Sequence, residues 1–453
     1  MTVTDTRLAP NTFLSGNFAP VDDELDVADL PVRGAIPAEL NGRLLRIGPN
    51  PVSPPDPATY HWFTGNGMVH GVRIRDGRAD WYRNRFVRDD NVTEVKGWPH
   101  TGGPRHGMGP GVANTNVIGH AGRTFAIVEA GGLPVELTYD LDTVQMTDFD
   151  GTLPGSFTAH PKRDPITGEL HAVVYYWEWD YVQYVVVGTD GRVRRTVDIP
   201  VPGKPMLHDC AITESQVVVL DLPVTFNLEA AMSGKALPYL WDADYGARVG
   251  LLPRDATSGV ETRWCEVDLC FVYHPLNAYD LPDGRVVCDV VRHPKMFATN
   301  QNGPYEGLPS LVRWTIDPAS GRVHEETLDE RGQEFPRHDE RLIGRKHRYG
   351  YCAAFGDGIE HGPALKHDLE RGTTEEHQYG KGRVTLEPVF VPRHDSAAED
   401  DGWVMSYVYD ATTNTSDVVI LDAQDFTGDP VAEISLPQRV PFGFHGNWVP
   451  DAG

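Results

Sequence analysis

The sequence has no pair of cysteines at CxxC spacing, and only five cysteines in 453 residues: Cys210, Cys265, Cys270, Cys288 and Cys352. That odd, scattered set argues against a disulfide framework and against a thiolate zinc site, and for reduced thiols in a cytoplasm. No run approaches the roughly 18 uninterrupted apolar residues of a spanning helix. The opening seven residues lack the basic-then-apolar layout of a signal peptide. Positive charge is in deficit, 40 Lys and Arg against 65 Asp and Glu, a formal net charge of −25. Such a surface repels nucleic acid and anionic headgroups and leaves a neutral or cationic partner. Long amphipathic helical patterns are scarce as well; residues 226–233 form the best candidate, and it is short.

What is present is a regular series of turns between short apolar or β-branched runs. Asp76-Gly77-Arg78, Ala121-Gly122-Arg123, Asp190-Gly191-Arg192, Asp283-Gly284-Arg285 and Ser320-Gly321-Arg322 each fit a tight hairpin, because Gly accepts the positive φ such turns demand. Segments 124–129, 181–187, 216–222 and 285–291 have strand composition, several of them apolar enough for burial on both faces. Many short strands with few helices mean a sandwich, barrels or a β-propeller, and the length favours the propeller. No segment reads as a linker, so residues 1–453 are expected to form one domain.

Of the 18 histidines, four stand among apolar and small residues. They are His160 in Phe-Thr-Ala-His-Pro-Lys, His208 in Met-Leu-His-Asp-Cys, His274 in Phe-Val-Tyr-His-Pro-Leu, and His445 in Phe-Gly-Phe-His-Gly-Asn-Trp. Successive members are 48, 66 and 171 residues apart, which is about one, one and three blades at roughly 50–65 residues each. Equivalent inner positions of different blades point at a shared axis, so four imidazoles could converge there on a metal. A structural zinc site usually includes cysteine. Imidazole suits zinc, copper, iron or nickel, and ligand type alone does not choose among them. Asp209 follows His208, and period-two alternation should turn it the other way. His61 and His70 are weaker candidates.

At these residues the sequence resembles the carotenoid cleavage oxygenases, a family that includes lignostilbene dioxygenases and the retinoid isomerase of the eye. The likeness covers nearly the whole chain. It is carried by Asn-Gly-Arg-Leu-Leu-Arg-Ile-Gly-Pro-Asn-Pro from Asn41, and by His-Trp-Phe-Thr-Gly-Asn-Gly-Met-Val-His from His61. Glu-Phe-Pro-Arg from Glu334, Glu-Pro-Val-Phe-Val-Pro from Glu387, Glu-Asp-Asp-Gly-Trp from Glu399 and the closing Phe-His-Gly-Asn-Trp from Phe444 complete it. The resemblance implies a seven-bladed β-propeller, with a few short helices and loops capping the active-site face. It implies one Fe(II) per chain on the axis, bound by His160, His208, His274 and His445, and no organic cofactor. Glu129, Glu334 and Glu387 would accept the far N–H of three of these imidazoles and fix their tautomer and ring angle, leaving His160 without a carboxylate. Thr115, in the Ala-Asn-Thr segment, would either restrict where dioxygen binds or be a strand residue with a backbone-bonded hydroxyl. Phe63, Tyr273 and Phe335 match positions lining the substrate tunnel.

Such relatives use dioxygen to cleave a conjugated carbon–carbon double bond, giving two carbonyl products. Lignostilbene-cleaving relatives hold the substrate phenol with a tyrosine and a lysine, and the lysine position here is Val128. That departure favours a carotenoid or apocarotenoid over a stilbene or vinylphenol. The loop 226–252 carries several charges, so at most peripheral membrane contact is expected. Two other classes remain open on the residues alone. A metal-dependent propeller lactonase or hydrolase would need oxygen ligands on the axis, and a non-catalytic binding propeller would need no four-histidine set.

Overall fold

The computed structural model describes residues 11–107, 111–301, 306–355 and 361–451. Among these the fold is all-β with few helices. A five-stranded sheet joins Asp26–Ala28, Arg78–Phe86, Gly67–Arg75 and Gly42–Pro49 to the C-terminal strand Gly446–Pro450. Four-stranded antiparallel sheets follow over residues 116–146 and 162–200. An eight-stranded sheet comes next, made of two antiparallel halves whose hydrogen-bonded ladders join only through the parallel pair Glu266 and Arg322. A further four-stranded sheet spans residues 333–377, and a six-stranded sheet ends the series. The second strand, Val32–Gly34, is an edge of that last sheet, paired with Ala432–Ser435. Each end of the chain therefore completes the sheet built by the other, which fastens first and last together without leaving long open edges.

Edge strands of neighbouring sheets, and of the two halves of the eight-stranded sheet, pack on one another. Gly446–Pro450 meets Asn116–His120, Cys210–Ile212 meets Phe271–Asp280, and Phe271–Asp280 meets Gln333–Arg337. This gives a propeller-like arrangement. The apolar faces bury between sheets; Leu44, Val72 and Tyr82 of the first pack with Met405, Val418 and Ile420 of the last.

All five glycine turns lie between the paired strands they were read to join, with φ between 69° and 87° at Gly77, Gly122, Gly191, Gly284 and Gly321. The helix expected at 226–233 is present as Leu228–Met232, capped by the Asn227 side chain. A second helix, Asp90–Lys96, escaped the sequence reading. Its signals were there: Asp89 caps the Val92 amide and Gly97 ends the helix at φ 67°, the usual start and stop residues. None of the described helices is long and apolar enough to cross a membrane.

Burial acts on histidines remote from any proposed ligand. It holds His70 and His171 near pKa 3, and His61, His347 and His367 near 4. The native state keeps these rings neutral, whereas an unfolded chain protonates them below about 6.5. The unfolded state then binds more protons, so stability falls as pH drops from about 6.5 toward 4, by up to about 1.4 kcal/mol per pH unit for each such group. Thermal melts of metal-free protein should show a Tm that is level near neutrality and declines steadily below pH 6.5. A flat profile down to pH 4.5 would contradict the neutral, buried state of these rings.

Candidate metal centre

The four histidines picked out by context come together. His160, His208, His274 and His445 are all buried, and their ligand-capable atoms lie within 4.8 Å of one another. They are the one metal-capable group of its kind among the described residues. His160 Nε2 and His208 Nε2 are 3.0 Å apart, and His208 Nε2 and His274 Nε2 3.3 Å. The His445 ring centre lies 4.5 Å from that of His160 and 4.7 Å from that of His274. An imidazole nitrogen sits roughly 2.1 Å from a divalent first-row ion, and two such nitrogens at a right angle are about 3 Å apart. The cluster thus has the spacing of adjacent ligands on one shared ion.

Each of three rings donates from Nδ1 to a carboxylate: His208 to Glu129 at 2.9 Å, His274 to Glu334 at 2.6 Å and His445 to Glu387 at 2.9 Å. With the proton on Nδ1, the Nε2 lone pair is directed at the centre. Glu334 also takes a hydrogen bond from His293 Nε2 at 2.7 Å, and Glu387 accepts from the Gly446 amide at 2.8 Å and from Arg337 at 3.1 Å. Burial pushes the two carboxyls up, but His274 with His293, and Arg337 with His445, hold Glu334 and Glu387 below the usual carboxylate range. Burial, reinforced by the neighbouring imidazoles and Lys162, keeps His160 far below its ordinary value. Burial likewise holds His274 near 3 against the pull of Glu334. Neutral imidazoles and ionised carboxylates are the forms a metal needs.

Local backbone irregularity aims these groups. The pairing of Phe271–Asp280 with its neighbour slips between Val272 and Pro275, where proline has no N–H to give. That bulge lets consecutive Tyr273 and His274 face one pocket. The pairing of Gln333–Arg337 slips between Glu334 and Arg337, and Phe335 adopts φ 56°. A bulky residue at positive φ is strained, and such strain gathers at functional sites.

Phe63, Tyr273, Phe335 and Thr115 all line an apolar pocket of ≈ 180 Å³ that ends on His208, His274 and His445. Phe335 stacks on His274 with centres 5.6 Å apart, and Tyr273 meets His208 edge-on at 4.8 Å. Val128 is in the wall. The Thr115 hydroxyl donates to Asn114 Oδ1 at 2.8 Å, a side chain rather than the backbone partner considered from sequence. His70 lies elsewhere, bonded to Tyr82, and His61 accepts the Phe63 amide. A polar cleft of ≈ 1160 Å³ reaches His160, His274 and His445 and includes Lys162, Asp209 and Arg337. Sequence reasoning missed His293 and the role of Arg337. The latter stood inside a recognised motif, whereas His293 had no local signal.

The fold and this cluster define a class: a propeller-like all-β protein with four buried imidazoles placed so that they could hold a metal ion. Within that class the chain belongs to the carotenoid cleavage oxygenase family. Residues 18–450 match the family model described as retinal pigment epithelial membrane protein. A carotenoid cleavage oxygenase of Mycobacterium tuberculosis is 45% identical, over 99% of this chain and 100% of the relative. The crystal structure of Pseudomonas brassicacearum lignostilbene dioxygenase is 30% identical with a TM-score of 0.89, covering 98% of this chain and 99% of the other. The cobalt-substituted Synechocystis ACO is 29% identical with a TM-score of 0.84, covering 95% and 97%.

The carboxylates give a direct test. Glu334→Gln and Glu387→Gln should each lower iron(II) affinity by roughly 10–100-fold, with Glu334→Gln the more severe because that carboxylate serves two imidazoles. Competition with a coloured chelator measures the constants, and far-UV circular dichroism checks the fold. Wild-type affinity in both variants would remove these residues from the metal's support.

Proposed function

We propose that this chain is a non-haem iron(II) dioxygenase that cleaves a conjugated double bond of a carotenoid or apocarotenoid to two carbonyl products. The observation that carries the reading is the buried four-imidazole cluster, three rings backed by carboxylates, beside an aromatic pocket. Residues 1–453 act as one domain in this reading. The eight-stranded sheet counts as two blades because a single residue pair joins the ladders of its halves, which makes seven blades around the centre.

His160, His208, His274 and His445 would hold one iron(II), with Glu129, Glu334 and Glu387 fixing the rings. When bound, the iron supplies dioxygen activation beside the substrate. Phe63, Tyr273 and Phe335 place the conjugated segment and exclude water, and their π faces favour positive charge developing along the olefin. The ≈ 180 Å³ pocket is small beside the roughly 300–1,000 Å³ of sites that enclose a drug-sized ligand. It accommodates the reacting stretch of a long polyene rather than the whole molecule. Thr115, its hydroxyl committed to Asn114, serves as a steric wall rather than as a proton donor.

No organic cofactor is required. Val128 in the wall offers no charge to a phenol, which favours carotenoids over stilbene or vinylphenol substrates, the second reading by the same chemistry. A lactonase would call for oxygen ligands, and the cluster is all imidazole. The net charge of −25 excludes nucleic acid as a partner. Leu228 and Met232, 61% and 80% exposed, provide for peripheral contact with an apolar surface by a protein of the cytoplasm.

Iron-loaded protein should carry one iron per chain and cleave apocarotenals with label from ¹⁸O₂ in both products, provided carbonyl exchange with water is controlled. His208→Ala and His274→Ala should lose activity and most of the iron. Hydroxystilbene cleavage with inert apocarotenoids would overturn the substrate choice, and ester hydrolysis without oxygen uptake would overturn the chemistry.

A further inference from the structure

Three ligand imidazoles have a carboxylate within 2.9 Å of Nδ1; His160 has none. Its Nδ1 stands 3.9 Å from Oδ2 of Asp209. Asp209 is 2% exposed, and its carboxylate is already fixed. Oδ1 accepts the Cys210 amide at 2.6 Å, and Lys162 Nζ lies 2.8 Å from each oxygen. His208 and Asp209 stand just before the strand Cys210–Ile212 rather than within a strand as the sequence implied, and the Asp209 side chain lies behind His160. Lys162 is two residues from His160 and arrives from the same chain segment, so one carboxylate is shared by an ammonium and an imidazole.

Burying a carboxylate costs several kcal/mol unless it is paired, and Lys162 supplies that pairing. An ammonium has three donors but no acceptor, and one carboxylate has room for about four hydrogen bonds. With Lys162 and the Cys210 amide in place, Oδ2 still has a free lone pair on the His160 side. Closing the 3.9 Å separation to hydrogen-bond reach needs a movement of about 1 Å.

We propose that Asp209 is a positioning residue, the fourth carboxylate of the centre, accepting the Nδ1 proton of His160 while Lys162 neutralises it. The proposal rests on the metal-centre reading above. Because its charge is already offset, Asp209 fixes the tautomer and angle of His160 without adding negative charge to the ion's surroundings. His160 is then a weaker electron donor than the three rings on unneutralised or partly neutralised glutamates. This gives the four-imidazole set one distinct ligand.

The test uses the full chain loaded with cobalt(II), whose unpaired electrons shift the protons of bound imidazoles far outside the ordinary NMR range. A ring N–H held by a buried carboxylate exchanges slowly and gives a signal in water that vanishes in deuterium oxide. An N–H open to solvent in the polar cleft exchanges too fast to be seen. Wild-type protein should show four such shifted, exchangeable signals. Asp209→Asn, in which Lys162 keeps the amide oxygen and the amide nitrogen faces the ring, should show three and bind cobalt roughly 10-fold or more weakly. Glu334→Gln, as the control, should lose the signal of a different ring. Three signals in the wild type, or four in Asp209→Asn, would overturn the proposal while leaving the metal centre intact. A wild-type chain that takes up no cobalt would overturn both. A merely structural ion pair would lower the Tm of Asp209→Asn without changing the number of signals.

Discussion

Four imidazole nitrogens brought within 4.8 Å of one another in a buried centre is the constraint on which the rest of the structure depends. Lone pairs facing one another across 3.0 and 3.3 Å repel unless a cation lies between them. Protonation is no general escape: burial makes the charged form costly at His160 and His274, although at His208 burial is outweighed by the Glu129 carboxylate, which raises the pKa. The surrounding groups therefore have to keep every ring neutral, with its proton on the outer nitrogen. Carboxylates at 2.6–2.9 Å from Nδ1 do this for three of them. The carboxylates in turn need partners of their own, which is why His293, Arg337 and the Gly446 amide are where they are. At Glu334 and Glu387 each layer of polar groups is satisfied by the next.

The ring of sheets supplies positions for these layers, but regular strands could not fill them. A strand offers alternate residues to a face, and the site takes neighbours: Tyr273 with His274, Glu334 with Phe335. The register slips at Val272–Pro275 and Glu334–Arg337 provide that departure. In each case an imidazole of the cluster, or the carboxylate behind one, is followed or preceded by an aromatic that packs on the clustered rings. Polar support and apolar pocket wall are therefore built from the same short segments, and one cannot shift without the other.

This explains what could and could not be read from the residues. The turns were legible because glycine at positive φ is a local requirement, and the four histidines because each sits in an apolar context that a solvated ring would not have. The three glutamates became visible only through the family resemblance, since nothing in Ile-Val-Glu-Ala or Glu-Pro-Val-Phe says that the side chain turns inward. His293 was hidden altogether; its partner Glu334 is 41 residues away, and contacts of that range leave no periodic trace. Asp209 was judged by alternation on its own strand. That rule is blind to what lies on the neighbouring sheet, and there the side chain meets Lys162 and the back of His160.

The distribution of charge around the centre is consistent with the proposed neutral substrate. Glu129, Glu334 and Glu387 bring three negative charges to the rings. Arg337 is hydrogen-bonded to Glu387 and offsets one. Lys162 and Asp209 cancel each other. The remainder matches the charge of a divalent ion, so a loaded centre has little net field in its hydrogen-bonded shell. A neutral polyene would enter such a pocket without facing a bare charge, and its own polarisation could respond to the reacting oxygen rather than to the protein. A fourth unneutralised carboxylate would upset that balance, and it would do so on the cleft side, where water can reach. On this argument, pairing Asp209 with a lysine is what allows a fourth imidazole to be held in place while the centre stays electrically matched to a divalent metal.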